Sequence, residues 1–264
     1  MPFEITAFAD EIAPDLATQL RVMKEHGVIG LDLRSVEGKN VLALSDAEVD
    51  EVGEKVKEAG LKVQCVGSPV NKVALSPQSE LEERVKLERA IQVAQRLGIR
   101  RIRIFTPECD NGDLVMDWMK VQLDMAEAAD VLLLIENDAK FWSAYPNNAK
   151  RLFREFAGPN LMAAFDFANA QLLGHPADEW FPWIVPYLDT LHIKDAKDGK
   201  VVPAGEGDGG IALTLKALWK DNWTGPLTLE PHLAAAGAFG GFSGEQLFAE
   251  AANALKIVLA GLDA

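Results

Sequence analysis

Apolar and polar positions along this chain switch between two periods from one end to the other. After Ala13-Pro14-Asp15, with proline at a favoured first-turn position, Leu16, Leu20 and Met23 recur at helical spacing. Ser45 and Glu48 form a capping box ahead of Val49, Val52, Val56 and Ala59. A longer segment from about Ser79 carries Leu87, Ala90, Ile91 and Ala94 on one face. Gly27, Gly60 and Gly98 stand where each of these helices wants a left-handed cap, and a strand pattern follows at once: Val28–Leu33, Leu61–Val66 and Arg101–Phe105. Phe3–Phe8 reads as the first strand. Val131–Glu136, Leu161–Phe167, Leu188–Ile193 and Leu227–Glu230 read as four later ones. Helical patterns fill the intervals near 113–128, 144–156, 177–187 and 211–220. Ser243 with Gln246 forms another capping box, opening a last helix through Leu247, Ala251, Leu255 and Val258.

Eight strands and eight helices in strict order, with short connections, predict a (β/α)8 TIM barrel in one domain, residues 1–264. No Gly-x-Gly-x-x-Gly follows the first strand, which weakens a dinucleotide-binding reading. At 264 residues the chain can bury roughly three quarters of its unfolded surface without disulfide staples. Its 40 acidic against 26 basic residues, a formal charge of −14, argue against nucleic acid and against an anionic membrane surface. No apolar run is long enough to span a bilayer, and the N-terminus lacks a signal-peptide pattern. Cys65 and Cys109 are far apart and in no metal spacing, so the expectation is reduced thiols in a cytoplasmic protein.

Chemistry in a barrel belongs at the C-terminal ends of the strands. The last four strands end in Glu136, Asp166, His192 and Glu230, one βα unit apart. Period-two alternation points all four into the mouth while Ile135, Phe165, Leu191 and Leu229 face the helices. Three carboxylates this close repel one another unless a cation sits among them. Three carboxylates with one imidazole suit one divalent ion: Mn²⁺ first, with Mg²⁺, Co²⁺ and Zn²⁺ as alternatives. A single acidic strand end is more often a cap or an ion-pair partner; it is the register of four that carries the reading.

The chain resembles the xylose isomerase-like TIM-barrel superfamily, the sugar phosphate isomerase/epimerase family, over essentially its whole length. The carriers are Phe8-Ala9-Asp10-Glu11-Ile12, Leu31-Asp32-Leu33-Arg34-Ser35-Val36, Ser68-Pro69-Val70, Ile135-Glu136-Asn137, Phe165-Asp166-Phe167-Ala168-Asn169, His192-Ile193-Lys194-Asp195, Gly205-Glu206-Gly207-Asp208 and Leu229-Glu230-Pro231. The resemblance implies a metal held by Glu136, Asp166, His192 and Glu230. It also implies a sugar or polyol-derived substrate and, since members are often dimers or tetramers, a homo-oligomer. One position departs from the pattern. Ketose 3-epimerases similar to this chain carry a histidine three residues after the strand-six aspartate; Asn169 stands there, able to hydrogen-bond a hydroxyl but not to shuttle a proton near pH 7. The endonuclease branch needs more histidines than the four present.

The residues permit proton transfer at a carbon next to a carbonyl, through a metal-stabilised enediolate, with Glu136 and Glu230 as the acid/base pair. The first alternative is a metal-dependent dehydratase of an inosose- or dehydroshikimate-like keto-cyclitol. The second is a catalytically silent sugar-binding barrel. Arg103 and Arg101 alternate with Ile102 and Ile104, so both are candidates to reach substrate, against a reading as barrel-bottom ion pairs that weighs equally for Arg101. Arg34 carries the same two readings. Lys194 and His232 are further substrate-binding candidates; Phe8 and Trp142 would make an apolar wall for a sugar ring, against core packing as the default for any aromatic; and Asp195 either orients a metal ligand or pairs with Lys197. His175 reads as a loop residue. The Gly-Glu-Gly-Asp-Gly-Gly run within Val202–Ile211 reads as a mobile flap or substrate-binding loop.

Overall fold

Six helices of the described chain end on the same pair of backbone hydrogen bonds. In the first three, the amides of Gly27, Gly60 and Gly98 donate to Lys24, Lys57 and Gln95, and the amides of the next residues, Val28, Leu61 and Ile99, donate to Met23, Val56 and Ala94. This arrangement needs a residue at positive φ, which glycine adopts without cost; these three lie at 69°, 76° and 67°. Asp130, Gly174 and Asn222 do the same for three later helices, at φ 52°, 76° and 59°. Each ending reverses the chain and aims it into the next strand or loop. The rhythm of the barrel is therefore set by local backbone chemistry.

The structure, a computed structural model, describes residues 3–234 and 243–262. Eight parallel strands close into a ring in chain order: β1 Ile5–Ala7, β2 Gly30–Leu33, β3 Lys62–Gly67, β4 Arg101–Ile104, β5 Leu132–Glu136, β6 Leu161–Asp166, β7 Leu188–Ile193 and β8 Leu227–Leu229. Helices α1 Leu16–Glu25, α2 Asp46–Glu58, α3 Pro77–Leu97, α4 Gly112–Ala129, α5 Pro146–Phe156, α6 Phe167–Leu172, α7 Ala177–Ile184, α8 Ile211–Lys220 and α9 Gly244–Ala260 surround it. Two hairpins rise from the mouth, Ser35–Val36 with Lys39–Asn40 and Asp195–Lys197 with Lys200–Val202.

Ile135, Phe165, Leu191 and Leu229 belong to the large apolar layer between strands and helices, as alternation requires. Inside the ring, Cys65, Leu132, Leu134 and Ala164 pack as a small apolar cluster of their own. Beside Cys65 the interior turns polar: Asp32, its neighbour across β2 and β3, accepts from Thr6 (3.2 Å) and Thr228 (2.6 Å), and its other oxygen has no partner among the described residues. Burial raises this carboxyl to about 6.

Two local expectations are corrected. The sixth strand stops at Asp166, not Phe167, because the Asp166 carboxylate caps a short helix there, accepting from the Asn169 amide at 2.8 Å. Ser243 precedes the last helix but makes no cap bond to it. Its hydroxyl donates instead to Glu11 at 3.0 Å, a long-range partner that outcompetes the local box. The Ser45–Glu48 box forms as expected.

Candidate metal centre and active site

Strand register brings the acidic ends together. Asp166 is paired with His192 across β6 and β7, and His192 with Thr228 across β7 and β8, so Glu230 stands two positions further toward the mouth on the same inward face. Glu136 ends β5 beside Ala164. Asn137 pins the rims of β5 and β6, donating to the Asp166 carbonyl at 2.9 Å and accepting from its amide at 2.7 Å. The result is one buried cluster: ligand atoms of Glu136, Asp166, His192 and Glu230 all lie within 4.8 Å of one another. His192 Nδ1 is 3.5 Å from Glu136 Oε1, 3.4 Å from Glu230 Oε2 and 4.0 Å from Asp166 Oδ2.

The polar accounting of this cluster is incomplete. Among the described residues His192 Nδ1, Asp166 Oδ2 and Glu136 Oε2 are buried with no hydrogen-bond partner. Buried polar atoms are ordinarily paired, and His192 Nδ1, left without a hydrogen bond while Glu136 Oε1 and Glu230 Oε2 crowd it, marks a place shaped for something else. Positive charge is supplied meanwhile by Lys194, whose ammonium lies 2.9 Å from Asp166 Oδ2 and 3.2 Å from Glu230 Oε2. Burial works to lower His192, but Glu136 and Glu230 outweigh it and lift the imidazole to about 10. Burial raises Asp166 to about 6, with Glu230 and Glu136 adding to the push and Lys194 opposing it. Glu136 resists the same burial because His192 and Arg103 hold it at about 2. Glu230 is held well below the usual carboxylate range, against burial, by Lys194 and His232.

An arginine stands behind each glutamate. Arg34 bridges three carboxylates, reaching Asp10 through Nε (2.8 Å), Glu11 through Nη2 (2.8 Å) and Glu230 through Nη1 (2.7 Å). Arg103 lies 3.3 Å from Glu136 Oε2. Phe8 is fully buried between them, edge-on to His192 at 5.2 Å and beneath both guanidinium groups. His232, at φ 44°, is held by Glu11, which accepts from its amide and lies 3.0 Å from its Nε2. Above the cluster opens a cavity of about 350 Å³, lined among others by Arg34, Lys72, Arg103, Asn169, Lys194 and His232.

The structure therefore brings Arg103, Asn169, Lys194 and His232 to one cavity, with Asn169 Nδ2 donating to Glu136 Oε1 at 3.3 Å. It moves others away. Trp142 is buried in the outer apolar layer against the start of α4, not in the cavity, because β5 ends six residues earlier and the chain has already turned outward. Phe8 packs under the site and lends no surface to the cavity lining. Asp195 orients no metal ligand: its carboxylate accepts from the amides of Ala196, Gly205, Gly207 and Gly209. The glycine-rich run is thus wrapped around an anion rather than built as a flap over the cavity, and a Cβ at Gly209 would come within 2.7 Å of that carboxylate. Arg101 is an ion pair of the barrel bottom, with Asp189. His175 pairs with Glu179 on the loop before α7.

Lys72, Asp138 and Asn40 line the cavity without having been singled out from the sequence. Lys72 had a readable signal. It follows the Ser68-Pro69-Val70 turn and Asn71, whose φ of 69° and bonds to Phe105, Gln122 and Trp118 fix the loop.

A parallel eight-stranded barrel with a buried carboxylate–imidazole cluster at its C-terminal mouth defines the class structurally. The family model described as xylose isomerase-like TIM barrel matches residues 20–257, and the chain belongs to that family. Similar solved structures include a xylose isomerase-like TIM barrel protein from Mycobacterium smegmatis in complex with magnesium, 17% identical with TM-score 0.73, covering 99% of this chain and 98% of that one. A D-tagatose 3-epimerase-like protein is 16% identical with TM-score 0.77, covering 100% and 98%. A probable 3-DHS dehydratase involved in petrobactin synthesis from Bacillus anthracis is 14% identical with TM-score 0.74, covering 97% and 99%. At these identities the likeness establishes the fold. No curated protein matches the sequence. Among the described residues no helix is long and apolar enough to cross a membrane.

Proposed function

We propose that the protein is a divalent-metal-dependent sugar isomerase or epimerase that moves a proton at a carbon next to a carbonyl. The observation that carries this reading is the convergence of four buried ligand groups, Glu136, Asp166, His192 and Glu230, with His192 Nδ1 at their centre lacking any hydrogen-bond partner among the described residues. That donor set fits a hard divalent cation, Mn²⁺ first and Mg²⁺ next, and the magnesium complex of the mycobacterial relative supports such an ion here by analogy. Bound by these four residues, the ion supplies Lewis-acid charge to the oxygens of a substrate.

The chain's own groups do the rest. Glu136 and Glu230 both approach His192 Nδ1, each with one oxygen turned to the cluster and the other to an arginine. Arg103 and Arg34 keep both carboxylates ionised, the state in which one of them can take a proton from carbon while the other returns one. Asn169 reaches the Glu136 side of the cavity as a donor for a substrate hydroxyl. Lys194 neutralises Asp166 and Glu230 from the other side. Phe8 seals the floor against water. A cavity of about 350 Å³ suits a small sugar or polyol-derived molecule.

The test combines Mn²⁺ titration with NMR of solvent deuterium uptake into ketoses, ketose phosphates and inososes. One ion per chain, lost in Asp166→Ala, and metal-dependent deuterium next to the carbonyl are the expected results. Enone absorbance without isomer would turn the reading to dehydration. No ion and no exchange would overturn it.

A further inference from the structure

Among the cations around the cavity, Arg103 is the least committed. Arg34 is shared by Asp10, Glu11 and Glu230. Lys194 is held by Asp166 and Glu230, and Lys72 lies 2.7 Å from Asp138. Among the described residues Arg103 has one ionic neighbour, Glu136 Oε2 at 3.3 Å from its Nε, and that contact is too poorly aimed to be a hydrogen bond. Its terminal nitrogens donate to no described residue. Yet the side chain is only 4% exposed. Leaving a guanidinium this deeply buried without acceptors is costly, and such groups are normally paired.

Its guanidinium carbon lies over the Phe105 ring at 4.5 Å and the Phe8 ring at 5.2 Å, so two aromatic rings hold it in place without offering a hydrogen-bond acceptor. The residue lines the cavity, next to the metal-ligating cluster. A planar fork with two open donors matches a carboxylate, which accepts two parallel hydrogen bonds and carries a single charge. A phosphate dianion would want a second uncommitted cation, and Lys72, Arg34 and Lys194 are each engaged.

We propose that the substrate carries a carboxylate within one or two bonds of the reacting carbon, and that Arg103 binds it. The inference rests on the reading of the cluster as a site for a carbonyl compound, and it narrows that class from neutral sugars to short keto or hydroxy acids.

Three compounds sharing one hydroxymethyl ketone test it: hydroxypyruvate, dihydroxyacetone and dihydroxyacetone phosphate. Their binding is measured by calorimetry on the Mn²⁺-loaded protein, on Arg103→Met and on Arg103→Lys, with bound Mn²⁺ counted in each. The expected result is at least about tenfold tighter binding of hydroxypyruvate than of dihydroxyacetone, as a charge-assisted pair provides. Arg103→Met should abolish that preference at unchanged Mn²⁺ stoichiometry, and Arg103→Lys should keep part of it. Equal binding of the acid and the neutral ketone overturns the proposal. So does a preference that survives Arg103→Met, or a phosphate that outbinds the carboxylate through Arg103. If Arg103 serves only to position Glu136, its loss weakens all three compounds alike. A protein that binds no Mn²⁺ refutes the metal reading, while the acid-over-ketone comparison still reports on Arg103.

Discussion

Arg101 and Arg103 sit on the same strand and the same face, two residues apart, and they have opposite circumstances. Arg101 reaches the bottom of the barrel, where Nε and Nη2 fork onto both oxygens of Asp189 at 2.7 and 3.2 Å. Arg103 reaches the mouth and finds one carboxylate at 3.3 Å without a hydrogen bond. The two ends of the barrel differ in the same sense throughout. At the bottom, charges are few and matched; at the mouth, Glu136, Asp166 and His192 each leave an atom without a hydrogen bond among the described residues. Completed pairs hold a structure together, whereas incomplete ones keep binding capacity in reserve for a ligand.

The largest effect expected from breaking this contrast is at the two glutamates. Glu136→Gln and Glu230→Gln each keep shape and lose the proton-accepting oxygen, so each should lower turnover about 10³-fold on any substrate that exchanges deuterium. Full turnover in both would remove them as the acid/base pair. Next in size is the dependence of metal binding on pH. His192 is lifted to about 10 by Glu136 and Glu230, so below that pH its imidazole carries a proton that an incoming ion must displace. Affinity for Mn²⁺ should therefore rise with pH, by up to about tenfold per unit between pH 6 and 9, with about one proton released. Calorimetry in two buffers of different ionisation heat measures that proton directly, and a pH-independent affinity would contradict the assignment of His192 as a ligand.

Between mouth and bottom lies Asp32, a buried carboxylate with one oxygen held by Thr6 and Thr228 and the other without a partner among the described residues. Burial raises it to about 6. A carboxyl raised in the folded state favours folding while protonated, below its unfolded value near 3.9, and that contribution is lost as pH rises through about 6. Asp32→Asn has no such dependence. The variant should gain on the order of 3 kcal/mol over the parent between pH 4 and pH 7, read as a difference in urea midpoints. A constant difference across that range would show that Asp32 is ionised without penalty.

How much of this was legible from residues alone follows from the range of the forces involved. Gly27, Gly60 and Gly98 announced three helix ends because the left-handed cap is a local requirement; Asp130 and Asn222 perform the same task but are common residues in many other settings. Glu136, Asp166, His192 and Glu230 stood out because an apolar run ending in a charge is a local pattern repeated at barrel spacing. Arg34 was harder. Its three partners lie across the mouth, as much as 196 positions away in the chain, and only the closed ring brings them together. Ser243 and Asp195 misled for a related reason. Each fits a local or neighbouring role by sequence, and each is captured by a distant partner, Glu11 for one and the glycine-rich loop for the other. Trp142 went to its default, the apolar core, since an aromatic just past β5 gives no sign of which way its loop turns.

The smallest expected effect sharpens the opening contrast most. Arg101→Met removes the partner of Asp189, whose side chain is only 10% exposed, and leaves a mostly buried carboxylate unpaired. Arg101 itself is 35% exposed, so solvent softens the loss to about 1–2 kcal/mol, and adding Asp189→Leu should recover most of it. Mn²⁺ stoichiometry should not change. Arg103→Met should behave the other way in the Mn²⁺-loaded protein. With no hydrogen bond to lose, two phenyl rings to pack against and the bound ion left to offset the Glu136 charge, it should cost less than Arg101→Met while removing carboxylate binding. Urea midpoints for the two variants, compared side by side with ligand binding, decide the matter. If Arg103→Met destabilises the protein as much as Arg101→Met, both arginines are structural ion pairs and the difference between mouth and bottom collapses.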